Sequence, residues 1–273
     1  MQRIFRLRLR PRVALLLVFA FCTIAAAPGR PPRQLRVCAD GNNLPFSDNH
    51  GAGFENKIAE LIAADLGAKL SYVWAPQRRG FVRNGLNAGL CDVVVGLPAA
   101  LASVRTSRPY YRSSYVFVFG PSAPRVTSLD DAGLRQLKIG VPLVGDDGAN
   151  PAPVLALARR GLTGQVRGYS VYGDYRSQSP SAEIIRALRR KDIDLAIAWG
   201  PLAGYFANQG RPRLHVAPLL QAEAPPGLDF AFDISLGVRQ DDTALLAELN
   251  RALARQKGAI DAVLARYSVP ILR

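Results

Sequence analysis

The sequence predicts an α/β protein of two lobes that face each other across a central cleft. Three features carry that prediction. A β-α alternation with continuously apolar strands fills the first third of the chain, as in parallel sheets buried on both faces. The alternation then starts afresh near residue 137. It ends without a third unit, in one strand followed by helices, which fit best when they return to complete the first lobe. That return requires two crossings, expected at residues 120–123 and 223–229, as a two-strand hinge. The expected organisation is a leader over 1–27, a first lobe of 34–120 plus 228–273, and a second lobe of 121–227.

Each element has a local reason. Residues 35–39 form a short apolar strand. A helix over 54–66 places Phe54, Ile58, Leu61, Ile62 and Leu66 on one face and stops at Gly67. Residues 69–74 alternate as a strand, 81–87 read as a helix, 91–97 as a buried strand and 115–119 as another. In the second unit, strands are expected at 137–141, 165–169 and 193–198, with a helix at 152–160. Ser179 and Pro180 read as an N-cap and first-turn pair for a helix over 181–190 with Ile184, Ile185 and Leu188 inward. After the Pro/Gly-rich stretch 224–227 come a strand at 231–238 and a helical region over 243–267, broken near Gly258.

The chain has 273 residues, 49% hydrophobic and 21% charged, which excludes disordered and collagen-like classes. Three cysteines exclude a disulfide-stapled mini-protein. Arg3, Arg6, Arg8, Arg10 and Arg12 precede an apolar run over 13–24 and then Ala25, Ala26 and Ala27, the pattern of a secretory signal peptide. The run is shorter than the roughly 20 residues a membrane span needs. Bulky Phe21 before Cys22 argues against a lipid anchor, and no later stretch is apolar enough to span. The expectation is a periplasmic, soluble monomer. Without those five arginines the formal charge of +14 falls to +9. Outside the cytoplasm such an excess points to acidic proteins, anionic small molecules or an anionic membrane surface, and away from nucleic acid. Cys38 and Cys91 remain, and an even count in an oxidising compartment favours a disulfide over buried thiols.

Several strings carry a family resemblance. Arg108-Pro109-Tyr110-Tyr111 at the end of the first lobe, with the element order, resembles periplasmic solute-binding proteins of the polar amino-acid-binding type. Val37-Cys38-Ala39-Asp40, Asn43-Leu44-Pro45-Phe46, Gly53-Phe54-Glu55-Asn56, Pro76-Gln77-Arg78-Arg79-Gly80-Phe81 and Ala198-Trp199-Gly200-Pro201 are similar to the quinoprotein-dehydrogenase-associated, MoxJ/XoxJ-like subgroup. The likeness runs over nearly the whole mature chain. It implies the type II periplasmic-binding-protein fold, and it places the strands carrying Cys38 and Cys91 side by side. It further implies a partner, a PQQ-dependent alcohol dehydrogenase and its c-type cytochrome, whose PQQ and lanthanide or calcium belong to that enzyme. No cofactor is expected on this chain. The amino-acid clamp of the wider family is missing. The segment 98–104 has no basic residue where an arginine would hold the substrate carboxylate, and Trp199 stands where an aspartate would take the ammonium.

The candidate cleft residues follow strand ends, where ligands bind in such sheets. Asn42, Asn43, Pro45 and Phe46 line the cleft mouth or form an Asn-rich turn. Glu55 is a cleft acid or, by the plainer and preferred reading, a first-turn carboxylate facing the helix dipole. Gln77, Arg78 and Arg79 form a basic loop that grips an acidic partner or simply starts a helix. Trp199 with Gly200 points an indole into the cleft or packs it in the core. Phe54, Trp74, Arg108, Tyr110 and Tyr111 complete the set. Asp146, Asp147 and Asn150 offer three oxygens, short of the six or so that calcium takes, so no metal site is expected. No zinc, phosphate-loop or nucleophile motif is present. The reading is a non-catalytic accessory in maturation or activation of the dehydrogenase. The alternatives are the solute-binding component of an ABC transporter for a small polar metabolite, and a dehydratase.

Overall fold

The computed structural model describes residues 33–272, apart from 100, 124, 144–149, 171–174, 176–178 and 225. The leader and the pair Asp146 and Asp147 lie outside the described residues. In chain order the elements begin with β1 (Gln34–Ala39), a small hairpin of β2 (Asn42–Asn43) and β3 (Ser47–Asp48), α1 (Phe54–Asp65) and β4 (Lys69–Trp74). They continue with α2 (Phe81–Asn84), β5 (Val93–Pro98), β6 (Arg105–Thr106) and β7 (Tyr111–Phe119). Next come β8 (Ile139–Leu143), α3 (Ala152–Arg159), β9 (Val166–Ser170), α4 (Glu183–Arg190), β10 (Leu195–Trp199), α5 (Gly200–Asn208) and β11 (His215–Pro218). The chain closes with β12 (Ala231–Val238), α6 (Thr243–Arg255) and α7 (Lys257–Arg266).

The strand order is β4-β1-β5-β12-β7-β10-β8-β9. β1 pairs in parallel with β4 and β5, and β8 in parallel with β9 and β10, as two β-α-β units require. β12 lies antiparallel between β5 and β7, so the last strand does return to the first unit. β7 joins the two halves. Residues 111–114 pair with β12, while residues 115–119 pair with β10. The change of partner therefore falls inside a strand at Ser114 and Tyr115, short of the expected 120–123. On the return, β12 begins at Ala231, which pairs with Ser114. β7 begins at Tyr111, four residues before the expected Tyr115.

One core packs Phe54, Ile58 and Ile62 of α1 against Val37, Val93, Val95, Leu236 and Val238 of the sheet, with Leu249, Leu253, Ile260 and Leu264 of α6 and α7. Burying each such side chain contributes about 2 kcal/mol, which explains why the amphipathic stripe fixes the helix. Gly67 has φ +59°, so the helix stop expected from sequence is a left-handed residue. The second unit has its own cores around Ile184, Ile185, Ala196 and Ala198, and around Phe117, Ile139, Leu157 and Ile197.

The last helical region breaks at Gln256, near Gly258 as expected. Two local expectations need correction. α2 ends at Asn84 rather than 87, with Gly85 following. Ser179 is not a side-chain cap. It adopts φ +51° ahead of a 3₁₀ turn at Pro180–Ala182, and α4 begins at Glu183. Its amide instead donates to Asn42 Oδ1 across the cleft (3.1 Å).

Candidate functional site

A cavity of about 300 Å³ opens between the two units, where the ends of β5, β7, β10 and β12 meet the hairpin and α1. The strands deliver Gly96 and Pro98, Tyr115, Trp199, and Phe232 with Ile234; the hairpin delivers Asn43 and Phe46. Glu55 and Gln77 complete the wall. Five expected residues are thus brought together: Asn43, Phe46, Glu55, Gln77 and Trp199. Sequence reading missed Gly96, Pro98, Tyr115, Phe232 and Ile234. Phe232 and Ile234 alternate along one strand face, a signal that was available.

Aromatic rings dominate one side. Trp199 meets Tyr115 edge-on (centroids 5.5 Å, 71°) and Phe232 at 5.8 Å and 60°. On the polar side Asn43 Nδ2 donates to Gln77 Oε1 (2.8 Å). Asp40, only 3% exposed, organises this rim. It accepts from the Asn42 amide (2.9 Å), the Gln77 amide (2.9 Å) and the Tyr175 hydroxyl (2.8 Å).

Glu55 is the unusual member. It lies in the first turn of α1, held by its amide's bond to the Phe46 carbonyl (2.9 Å). Its carboxyl rests on the bare Cα of Gly96; a methyl group there would come within 1.9 Å of Oε1. Gly96 also has φ +85°, open to glycine at little cost. Burial in these surroundings pushes the Glu55 carboxyl up to about 8. A helix-dipole role, preferred from sequence, does not describe this environment. Burial also raises the Tyr110 and Tyr111 hydroxyls well above their usual value, and the Glu55 charge adds to both shifts. Gly96→Ala combines a clash with a disfavoured φ and is expected to cost about 3 kcal/mol, read as a fall in the urea midpoint at constant slope.

The remaining expected residues do not line the cavity. Phe54 and Tyr111 pack in the core, Tyr110 packs against it, and Pro45 is buried in the hairpin. Gly200 starts α5 against the Ser114 carbonyl. Asn42 spends its oxygen on the Ser179 amide. Trp74 is 40% exposed and stacks on Tyr72 (4.5 Å, 16°), with exposed Arg78 and Arg79 on the loop that follows. Arg108 and Asn150 are exposed. Among the described residues lining the cavity none is basic. No group of three His, Cys, Asp or Glu is placed to hold a metal among the described residues.

The halves are fastened on both sides of the cavity. The Ser181 hydroxyl donates to the Leu44 carbonyl (2.6 Å), and Leu44 and Phe46 pack into the second unit's core. At the other side Tyr205 of α5 stacks on Tyr267 (5.6 Å, 19°).

The model for bacterial extracellular solute-binding proteins, family 3, matches residues 35–269. Over 256 residues the chain is 31% identical to Protein MoxJ of Methylorubrum extorquens, covering 91% of this chain and 85% of that protein. It is 30% identical to Protein MoxJ of Paracoccus denitrificans, covering 88% and 89% respectively. Among solved structures, the periplasmic binding protein XoxJ from Methylobacterium extorquens AM1 is 38% identical, with a TM-score of 0.71, over 88% of this chain and 99% of that one. The fold is the two-lobed, type II periplasmic-binding-protein fold.

Proposed function

Because the chain belongs to the family 3 bacterial extracellular solute-binding proteins, we propose that it is a non-catalytic periplasmic accessory of a PQQ-dependent methanol or alcohol dehydrogenase, acting in that enzyme's maturation or activation. The observation that carries this reading is a cleft whose described lining has no cation for an amino-acid carboxylate. Near-full-length likeness to MoxJ and XoxJ supports it, in line with the dehydrogenase association that the sequence resemblance implies. Lobes already joined through Ser179, Ser181 and Tyr205 suit a fixed surface better than a trap that opens and closes. PQQ, its metal and the c-type cytochrome belong to the partner. The leader over 1–27 exports the chain.

Trp74 with Arg78 and Arg79 presents an exposed aromatic and two guanidinium groups beside the cleft rim, the chemistry favoured for an acidic protein surface. Dehydratase chemistry has a cleft acid in Glu55, but it also needs a second group at the reacting atom, and Asn43 and Gln77 are amides that do not titrate. The test is binding of the secreted protein to PQQ dehydrogenases of the same periplasm, measured against salt. Binding is expected to weaken with ionic strength, and Trp74→Ala with Arg79→Ala to lose at least about tenfold in affinity. No binding to any dehydrogenase, with thermal stabilisation by a polar metabolite, restores the transport reading.

A further inference from the structure

We infer that the cavity between the lobes is a site for a small organic ammonium ion, held by the Glu55 carboxylate and the faces and edges of Trp199, Tyr115, Phe232 and Phe46. This inference goes beyond the accessory role and does not depend on it.

The argument starts from the chemistry of the wall. Four aromatic side chains, two amides and one carboxyl surround about 300 Å³ of space, and no described lining residue is basic. Aromatic faces carry negative electrostatic potential and attract alkylated ammonium groups most strongly where water is excluded. An anionic ligand would meet the same faces and the Glu55 carboxyl with no compensating charge. A neutral apolar ligand would leave that carboxyl unpaired, and a buried polar group without a partner is costly. A cation satisfies both at once. The space admits a small ion and excludes a folded peptide segment.

Glu55 is built for this and for little else. It makes none of the ion pairs found among the described residues, and its position rests on Gly96, where any side chain would displace the carboxyl. The titratable groups facing it are Tyr72 on β4, Tyr110, and Tyr111 at the start of β7, all held neutral by burial. Among the described residues no ion-pair partner competes for it. In the empty cleft the carboxyl keeps its proton up to about pH 8, so a cation that binds at neutral pH must displace that proton.

Isothermal titration of the secreted protein with choline and tetramethylammonium, from pH 6 to 9 in two buffers of different ionisation enthalpy, tests this. Affinity is expected to rise about tenfold per pH unit up to pH 8 and then level off, with close to one proton released per ion bound at pH 7. The neutral isostere 3,3-dimethylbutan-1-ol is expected to bind at least about a hundredfold more weakly than choline at pH 8.5. Glu55→Gln is expected to abolish the pH dependence and most of the affinity; Trp199→Leu keeps apolar bulk but removes the π face, and is expected to lose about tenfold. No ammonium binding at pH 9 overturns the proposal. Equal binding of choline and its isostere, or wild-type binding that is flat in pH with no proton release, overturns it equally. The last readout needs no variant, so a misfolded Glu55→Gln protein leaves the test intact. Dehydrogenase binding is measured separately, so either reading can fail alone.

Discussion

Glu55→Gln is expected to stabilise the protein at pH 8 by on the order of 5 kcal/mol, and to change little at pH 4. The sign follows from the two states. In the unfolded chain the carboxyl titrates near its ordinary value of 4.5, whereas in the folded protein burial raises it to about 8. Below 4.5 both states hold the proton and the group is neutral to stability. Between 4.5 and 8 only the folded state holds it, so stability falls by about 1.4 kcal/mol for each unit of rising pH. Above 8 both states are ionised and the whole penalty is present. Glutamine cannot ionise, so its curve is flat across this window. Urea unfolding of the two proteins at pH 5, 6.5 and 8 checks it; parallel curves would show that the carboxyl is solvated or paired in the folded state. A chain that keeps so unfavourable an acid at a cavity wall has a use for it there.

That acid also shows where sequence reasoning stops. The first-turn position of Glu55 was legible and had a sufficient local explanation in the helix dipole. Its carboxyl rests on Gly96 and lies near enough to Tyr110 and Tyr111 to raise both hydroxyls, all of them dozens of residues away, and nothing in the window around Glu55 encodes that. The strands were easier. Lys69–Trp74 and Ala231–Val238 have the bounds expected, because alternation and an apolar run are local properties. The strand over Val93–Pro98 starts two residues late because Asp92 is drawn out to Arg36, accepting from its Nη2 (2.6 Å). Ser179 looked like a helix cap by type and spacing. Its backbone serves the opposite lobe instead, an interaction between residues 137 positions apart. The site residues that sequence found are Asn43 and Phe46 after β1, Glu55 on α1, Gln77 after β4 and Trp199 at the end of β10. Those it missed sit on strands whose cleft-facing side is decided by β12 lying between β5 and β7.

Removing the Cys38–Cys91 bridge, by reduction or by Cys38→Ser with Cys91→Ser, is expected to cost about 4 kcal/mol and to lower the melting temperature by about 10 °C. The disulfide joins Cα atoms 5.5 Å apart and closes a loop with a sequence separation of 53. The chain-entropy relation assigns a loop of that length about 4 kcal/mol, taken from the unfolded ensemble. The folded surroundings argue that little of this is lost to relaxation. Both cysteines are buried with Leu86, Val94, Leu97 and Val104, and a methyl group on Gly85 would come within 2.7 Å of Cys38 Sγ. Arg239 Nη1 donates to the Cys91 carbonyl (2.5 Å), fixing from the return segment the approach to β5, two residues before the strand. Thermal unfolding with and without reductant, alongside a thiol count of the denatured protein, measures the effect. An unchanged transition with two free thiols would place the first lobe's stability in its apolar core alone. The bridge lies on the face of β1 and β5 opposite α1, and it ties the strand that carries Gly96 to its neighbour. Loosening that pair should therefore also relax the surface on which Glu55 rests. Reduction is then expected to weaken ammonium binding several-fold at a temperature where the protein is still folded, which couples the stability of the sheet to the chemistry of the cleft.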